Sequence, residues 1–262
     1  MSNFRLYTLA ILCLFISSIT LTSCKKDRGA NPEVLTPGPD LNFYALTNDN
    51  KILALNAKNP SNVLATVTIT GLQTGENIMG IDFRPATGQL YGIGSTSRIY
   101  VIDYKTGTAR PIGAASFATP ISGSNFGFDF NPTVDRIRLV SSNGQNLRLN
   151  PETGAVMIVD GPINGVANAK VSSVAYTSNR AGAASTILFD IDATTDKLYK
   201  QDPPNDGKLV EVGSLGFDVD EVGGFDINPD GSVALAALQV GGRSSLFTVE
   251  LATGKASKIA DL

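Results

Sequence analysis

The stretch GFDFNPTVDRIRLVSSNGQNLRLNPETG, from Gly127 to Gly154, decides the fold because the chain repeats it. Within it, Asp135–Asn150 aligns without a gap with Gly88–Asp103, which lies 47 residues earlier. The same segment aligns with Leu41–Asn56 after a second shift of 47 residues. An alignment that keeps its register over three copies indicates an internal repeat.

Each copy of the repeat is typical of four short β-strands. Two weaker copies, beginning at Ser173 and Gly224, follow the three aligned ones and bring the total to five. β-branched and aromatic residues form short runs bounded by Gly and Pro, and no segment after the first two dozen residues keeps a helical 3.6-residue period. In the second copy the predicted strands are Gly80–Phe83, Leu90–Ile93, Arg98–Asp103 and Thr108–Ile112.

Four strands in a repeat of about 47 residues predict an all-β fold, a β-propeller with five four-stranded blades. The first copy lacks an obvious innermost strand, and Val34–Thr36 is in the right frame to supply a poor one. Six blades or a different closure of the ring are the alternatives. A β-sandwich is disfavoured because its strands would not need identical spacing along the chain.

The turn after the third strand recurs in three copies, as Asp103–Gly107, Asn150–Gly154 and Glu250–Gly254. The repeated Gly suits a backbone position of positive φ. An Asp or Asn at the start of such a turn can close it through a side-chain hydrogen bond. The repeat therefore predicts left-handed glycines at the ends of these turns.

The first 24 residues resemble the leader of a bacterial lipoprotein. Arg5 gives a short positive region, and the apolar run Leu9–Ile19 is too short to span a bilayer comfortably. The segment Leu21–Cys24 places small residues ahead of a cysteine, as in a lipoprotein cleavage box. We therefore expect cleavage after residue 23 and lipid on Cys24, where several acyl chains give stable anchoring. A plain secretory signal or an uncleaved anchor is the alternative.

The residues behind Cys24 predict a destination and a tether. The tripeptide Lys25-Lys26-Asp27 resembles the tags that send lipoproteins to the outer face of the outer membrane. Pro, Gly and Asn are frequent from there to Asp40, as in an extended linker. The expected organisation is a signal peptide over 1–23, a flexible tether over 24–40 and a single propeller domain over 41–262.

Composition excludes several classes of function. The chain contains no His and no Trp, and its two cysteines are Cys13 in the leader and Cys24. After cleavage and lipidation no cysteine remains for a disulfide, a zinc site or a thiolate nucleophile. The absence of His excludes a Ser-His-Asp triad and His-ligated metals. A formal net charge of −3 gives no basic excess for nucleic acid, and we expect a monomer with no nucleic-acid partner.

Three stretches resemble a bacterial family known as domain-of-unknown-function family 4394. They are Gly127–Gly154, Val174–Ala184 and Gln201–Gly207. The resemblance extends over nearly all of Phe43–Leu262, and it implies an extracytoplasmic location and a propeller-like fold. It implies no activity, so no catalytic residue is carried over.

The predicted innermost strands carry an acid at the same position in three copies, namely Asp82, Asp129 and Asp226, with Ala175 in the fourth. Gathered around a central channel, these carboxylates could hold Ca²⁺, a hard cation that takes several oxygen ligands. Such a site would resemble the calcium site of propeller lactonases and phosphotriesterases. In the alternative interpretation each Asp accepts backbone N–H groups of an adjoining turn and stabilises its blade.

An arginine set distinguishes the third copy, because Tyr91 and Val101 stand in the second copy where Arg138 and Arg148 stand in the third. Arg136 and Arg138 are two residues apart and share a strand face, which Arg148 could join from the next strand. Three guanidinium groups on one face would suit a carboxylate or a phosphate. The alternative is pairing with acids at a solvated blade edge, for which Asp129, Asp135 and Glu152 are the candidates.

A third group of acids, Asp190, Asp192 and Asp196, lies in what the sequence indicates is a loop. Alternating acids could form a surface Ca²⁺ site, but the Gly and the closing Glu of an EF-hand loop are missing. A solvated hairpin tip is the preferred interpretation.

The sequence therefore predicts a lipid-anchored propeller of the cell envelope that acts as a binding or scaffold module for a protein, peptide or polymer. The missing His and Cys argue against most enzyme mechanisms. The alternative function is that of a calcium-dependent hydrolase or lactonase-like enzyme with carboxylates in the channel, and a purely structural envelope component is the third. Fold alone does not separate them, because propellers host unrelated functions.

Overall fold

The computed structural model describes residues 35–262, which form an all-β domain. The leader, Cys24 and residues 25–34 of the expected tether lie outside the described residues. The described range contains one helical turn, of 3-10 type, at Pro204–Asp206. It holds no helix with the length and apolar character needed to cross a membrane.

The strands of residues 35–262 form five antiparallel sheets, and within each sheet they follow one another in chain order. The first contains β1 (Asn42–Leu46), β2 (Lys51–Asn56) and β3 (Ala65–Thr68). The second contains β4 (Ile78–Phe83), β5 (Leu90–Gly94), β6 (Arg98–Ile102) and β7 (Ala109–Ile112). The third contains β8 (Phe126–Asn131), β9 (Arg136–Ser141), β10 (Asn146–Asn150) and β11 (Ala155–Val159). The fourth contains β12 (Val171–Tyr176), β13 (Leu188–Asp192), β14 (Lys197–Gln201) and β15 (Leu209–Ser214), and the fifth contains β16 (Glu221–Ile227), β17 (Ala234–Val240), β18 (Arg243–Val249) and β19 (Ala256–Asp261).

The sheets are the blades of a five-bladed β-propeller, which confirms the predicted fold class. The strands β4, β8, β12 and β16 are innermost, and successive members of this set pack together. Apolar clusters fill each of the five interfaces between neighbouring blades. The cluster between the fifth and first blades closes the ring and includes Phe43, Ala57, Leu235 and Ile259.

The first blade has three strands in the described range, because β1 corresponds to the second strand of the other blades. The expectation that Val34–Thr36 supplies its innermost strand is wrong for the described part of that segment. The N–H of Thr36 donates to the carbonyl of Lys258 at 2.7 Å, on the outermost strand of the fifth blade. Pro37 and Pro39 follow, and neither has the N–H that a central strand must donate.

The repeated turns have the predicted backbone. Gly107, Gly154 and Gly254 have φ angles of 79°, 67° and 81°. The side chain of Asp103 accepts the N–H of Lys105 at 2.9 Å and so closes its turn. These turns also rest on the preceding blade, because a Cβ on Gly154 would lie 2.2 Å from the carbonyl oxygen of Ile112.

A Gly-x-Asp segment joins neighbouring inner strands. A Cβ on Gly127 would lie 2.7 Å from the backbone nitrogen of Val174, so only glycine allows β12 to approach β8 this closely. Gly80 takes the same place in β4. The close approach lets Asp82 Oδ2 accept the N–H of Phe130 on the next blade at 2.8 Å. The repeated acid therefore ties one blade to the next.

The fifth blade carries the same segment, but within residues 35–262 no inner strand of the next blade lies beside it. A Cβ on Gly224 would meet no atom within 4 Å, and Asp226 is exposed. The next blade in the ring is the first, whose β1 stands one strand further out than an innermost strand. We call the space bounded by β1, β4 and β16 the blade-one gap.

We predict that substitution of glycine by alanine lowers the stability of the fold at Gly127 but not at the equivalent Gly224. Gly127→Ala should destabilise the fold by about 1–3 kcal/mol, because the added methyl overlaps the backbone of β12. Gly224→Ala should change the stability by less than about 0.5 kcal/mol, because its methyl enters the blade-one gap. Urea unfolding of the full chain in detergent, followed by far-UV circular dichroism, measures both. Equal losses of stability would contradict the gap.

Candidate functional site

Asp82, Asp129 and Asp226 come together in the central channel, and we call them the channel triad. One carboxylate oxygen of each lies within 4.8 Å of one oxygen of each other member. The three residues stand close to the ends of β4, β8 and β16, so three blades contribute to one site. At the other end of the inner strands, the Asn125 amide donates to Glu221 Oε1 at 3.1 Å and links the third and fifth blades across the channel.

Two members of the channel triad are buried and fixed by the neighbouring blade. Asp82 is 7% exposed and Asp129 1% exposed. Burial raises the pKa of Asp82 well above its usual range, and the charge of Asp226 adds to this rise. The N–H groups of Phe130 and Phe83 lower the pKa, but by less. The interblade hydrogen bond thus lowers a pKa that burial and the second carboxylate raise more strongly.

Asp129 repeats this arrangement one blade further on. It accepts the N–H of Tyr176 from β12, and this bond lowers its pKa. Burial, followed by the charges of Asp82 and Asp226, raises the pKa well above the usual range. Asp129 Oδ1 is buried and has no hydrogen-bond partner among the described residues. An unpaired buried oxygen of this kind is costly, and a cation or a proton at the triad would satisfy it.

Asp226 is the accessible member of the channel triad. Its side chain is exposed to solvent on one side and crowded by protein on the other. This crowding raises the pKa of Asp226 to about 6, although Oδ1 accepts the N–H of Ile227 at 2.7 Å. Because β1 is not an innermost strand, no strand of residues 35–262 covers Asp226 from the side of the blade-one gap.

The channel triad is suited to bind positive charge. Carboxylates and backbone N–H groups act on the pKa values of its three members, and no basic side chain is among these influences. Ca²⁺ takes oxygen ligands at about 2.3–2.6 Å, so ligands on opposite sides of the ion are about 4.6–5.2 Å apart. The triad oxygens lie within 4.8 Å of one another, a separation that one Ca²⁺ ion can bridge.

The predicted arginine set divides into two parts. Arg138 is 2% exposed in its side chain and donates to Asp160 Oδ2 at 2.7 Å. Arg148 holds both oxygens of Asp160, at 2.7 and 2.9 Å. Arg136 stands apart, because it donates to the backbone oxygen of Asp135 at 2.8 Å. The common partner is therefore Asp160, rather than any of the acids that the sequence offered.

Arg138 uses its remaining donors within the interface between the third and fourth blades. It donates to the Tyr176 hydroxyl at 3.3 Å, the Asn146 side chain at 2.7 Å and the Asn205 side chain at 2.8 Å. With Asp160 these partners engage all three nitrogens of the guanidinium group. Anion binding by the set remains a prediction, for which Arg148, 28% exposed in its side chain, is the accessible member.

The third group of acids is not a solvated loop, and that interpretation is wrong. Asp190 and Asp192 are completely buried and belong to strand β13. Both oxygens of Asp190 are without a hydrogen-bond partner in the described range. Burial raises its pKa well above the usual range, and the positive charge of Arg138 opposes the rise. Asp196 lies in the turn between β13 and β14 and accepts the N–H of Val219, in the segment between β15 and β16, at 2.8 Å.

Sequence reasoning missed two side chains that make ionic contacts important for the blades, Arg84 and Asp160. Arg84 is 6% exposed and joins the second and third blades by donating to both oxygens of Asp135, at 2.9 and 2.5 Å. Asn131 and Asn228 occupy the equivalent positions of other copies. The replacement of Asn by Arg in one copy was the sequence feature that could have indicated a special role for Arg84. Asp160 follows β11 immediately before a Gly-Pro pair, which indicates only a turn.

The sequence matches the model of the family described as "Domain of unknown function (DUF4394)" over residues 51–262. The chain belongs to this family. None of the curated proteins matches the sequence. The expected resemblance is therefore confirmed, and the family description assigns no activity to the channel triad of this DUF4394 member.

Two solved propeller structures are distant neighbours. One is dihydro-heme d1 dehydrogenase NirN in complex with DHE, with 13% identity, a TM-score of 0.41, and coverage of 88% of this chain and 45% of that one. The other is PorZ, an essential bacterial surface component of the type-IX secretion system of Porphyromonas gingivalis, with 14% identity, a TM-score of 0.45, and coverage of 86% and 27%. The chain thus spans less than half the length of either protein.

The raised pKa of Asp226 predicts how stability depends on pH. The unfolded chain has Asp pKa values of about 3.9, so the folded state binds protons more tightly at the triad. This contribution is complete below about pH 4 and is lost as the pH rises through the folded value of about 6. Asp226→Asn should therefore gain thermal stability relative to wild type as the pH rises from about 4 to 7 in metal-free buffer. A difference in Tm that stays constant over this range would contradict the raised pKa of Asp226.

Proposed function

We propose that this protein is a binding module of the cell envelope that takes a positively charged group of its ligand at the channel triad. The observation that carries the proposal is the meeting of three carboxylates from three blades within 4.8 Å. Asp129 Oδ1 has no partner there, and Asp226 is open to solvent. Like charges held this close without a basic partner favour the binding of a cation.

The attachment to the membrane belongs to the same proposal. The apolar run Leu9–Ile19 and the small residues ahead of Cys24 support lipid on that cysteine, and Lys25-Lys26-Asp27 supports display on the outer membrane. A tethered propeller would present its channel to ligands outside the membrane. Incorporation of a palmitate analogue into the wild type, and its absence from Cys24→Ala, is the measurement that checks the anchor.

A cationic probe tests the binding function. We expect a dye-labelled oligolysine to bind the full chain in phosphatidylcholine nanodiscs, and an oligoglutamate of the same length not to bind. Asp226→Asn should weaken oligolysine binding about threefold to tenfold, because it removes the accessible charge of the triad. Fluorescence anisotropy measures the affinity, with empty nanodiscs as the background.

The matched control for this experiment is Glu250→Gln, which removes an exposed carboxylate from an outer turn of the same blade. It should leave the affinity unchanged. Equal weakening by both substitutions would mean that oligolysine responds to net charge alone and would refute a specific site. Undiminished binding by Asp226→Asn would refute it as well.

A calcium-dependent hydrolase is the second candidate, and the spacing of the triad oxygens favours it. Three carboxylate oxygens leave at least three positions of a Ca²⁺ ion open to water or substrate. Exposure of Asp226 gives those positions access to solvent. A bound ion there would lower the pKa of a coordinated water and polarise a carbonyl group.

Calcium addition separates this candidate from the first. For a site with Ca²⁺ at about one hundred times its Kd, Tm of the wild type should rise by about 5–10 °C over that in EDTA. Asp226→Asn should lose most of this rise, whereas Glu250→Gln should keep it. Hydrolysis of chromogenic esters and lactones should then require Ca²⁺. An unchanged Tm would exclude the metal and with it the hydrolase.

A further inference from the structure

The blade-one gap has the position of a missing β-strand. In the other four blades an inner strand stands between the second strand and the channel axis, but in the first blade no strand of residues 35–262 lies between β1 and the channel. The first blade is otherwise complete, because its apolar clusters pack against the second and fifth blades. The gap is therefore one strand wide and lies within an intact ring.

Exposure of the inner strands supports this picture. All six residues of β12, whose neighbours are β8 and β16, are buried. The two strands that border the gap are more open, since β4 has two buried residues out of six and β16 has three out of seven. Inner strands that share a neighbour on both sides lose their solvent contact. The pattern is that expected of inner strands whose neighbouring inner position is not filled by any strand of residues 35–262.

The edge of β1 that faces the gap has backbone groups that no strand of residues 35–262 pairs with. Leu41 and Thr47, on either side of β1, are bonded to Ala57 and Lys51 on the β2 side. In an antiparallel ladder such bonds alternate along the strand. The N–H and C=O groups of Asn42, Tyr44 and Leu46 therefore point away from β2, and β1 pairs with β2 alone in the described range.

The two walls of the gap differ in chemistry. Ile81 and Phe83 on β4 are partly buried apolar residues on the side of the second blade, and the ring of Tyr44 lies 5.4 Å from that of Phe83. Gly224 and Asp226 on β16 stand on the side of the fifth blade. A strand in the gap would alternate its side chains between these walls. Apolar side chains fit the first wall, and a Lys or Arg side chain fits the carboxylates of the second.

We propose that an extended segment of a partner protein, with alternating apolar and basic residues, adds to β1 as the innermost strand of the first blade. Main-chain hydrogen bonds to the free edge of β1 give affinity, as in other cases of strand addition. The apolar wall selects one set of side chains and the channel triad the other. This inference rests on the proposed function, since it names the source of the positive charge.

The chain's own tether is the competing occupant. Thr36 is bonded to β19 at the perimeter of the fifth blade, three strands away from β16, and Pro37 and Pro39 then lead directly into β1. The described residues that precede β1 therefore do not fill the gap, and the experiment below distinguishes the rest of the tether from a partner segment.

Two peptides of identical composition test the proposal. One alternates lysine and valine, and the other carries the same residues in two blocks. We expect the alternating peptide to bind the full chain in phosphatidylcholine nanodiscs at least about tenfold more tightly, because only it matches both walls at once. Hydrogen exchange should show protection of the Asn42, Tyr44 and Leu46 amides when it binds. A third peptide, which alternates glutamate and valine, should not bind.

Gly224→Val provides the decisive variant, because its side chain fills the gap where a Cβ meets no neighbour within 4 Å. We expect it to fold with unchanged stability and to weaken the alternating peptide about tenfold or more. Met157→Lys is the matched control, since it alters the exposed apolar edge strand β11 of the third blade and should have no effect.

Each other outcome is decisive as well. Equal binding of both peptides would overturn strand addition while leaving the proposed function intact, whereas no binding of any basic probe would overturn both. Loss of binding in Met157→Lys but not in Gly224→Val would place the peptide on β11 and refute the inference. Protection of the β1 amides before any peptide is added would show that the chain fills its own gap, which also refutes it.

Discussion

One hydrogen bond between neighbouring blades sets the geometry of the centre of the ring. The carboxylate of Asp82 accepts the N–H of Phe130, and the carboxylate of Asp129 accepts the N–H of Tyr176. The bond requires two inner strands to approach closely, and the glycine two residues before each Asp allows that approach. It also places the acids side by side at the axis. A contact that stabilises the ring therefore also brings carboxylates together. Their burial and proximity raise the pKa values of Asp82 and Asp129, against the effect of the hydrogen bonds.

In residues 35–262 this contact is lost in the fifth blade, where the repeat is incomplete. There the same glycine and acid face the first blade, for which the described residues supply no inner strand. Asp226 loses its interblade partner and gains solvent. The acid that joins neighbouring blades in the second and third blades is exposed in the fifth blade. A repeat protein can acquire a site in this way without any special motif, because the loss of one copy of a contact exposes the groups that made it.

Sequence periodicity was sufficient to predict the five blades, the left-handed turn glycines and the position of the repeated acids, because each depends on local spacing. It was insufficient for Asp160, which sits before a Gly-Pro pair and meets Arg138 and Arg148 only after the blade is assembled. Asp190 was misplaced because alternating acids resemble a loop, whereas burial against the third blade makes them part of a strand. Long-range packing, not local pattern, decides which charged residues of this chain are buried.

The absence of histidine has a consequence for how the protein exchanges protons. Between about pH 5 and pH 8 an ordinary protein changes charge mainly through its imidazoles, and this chain has none. In residues 35–262 the carboxyl groups with raised pKa values are those of the channel triad and Asp190. A cation that binds the channel triad would displace protons from it, while few other groups of residues 35–262 change their protonation in this pH range. The heat of binding should therefore vary with the ionisation enthalpy of the buffer, and calorimetry can count the protons released at a single site.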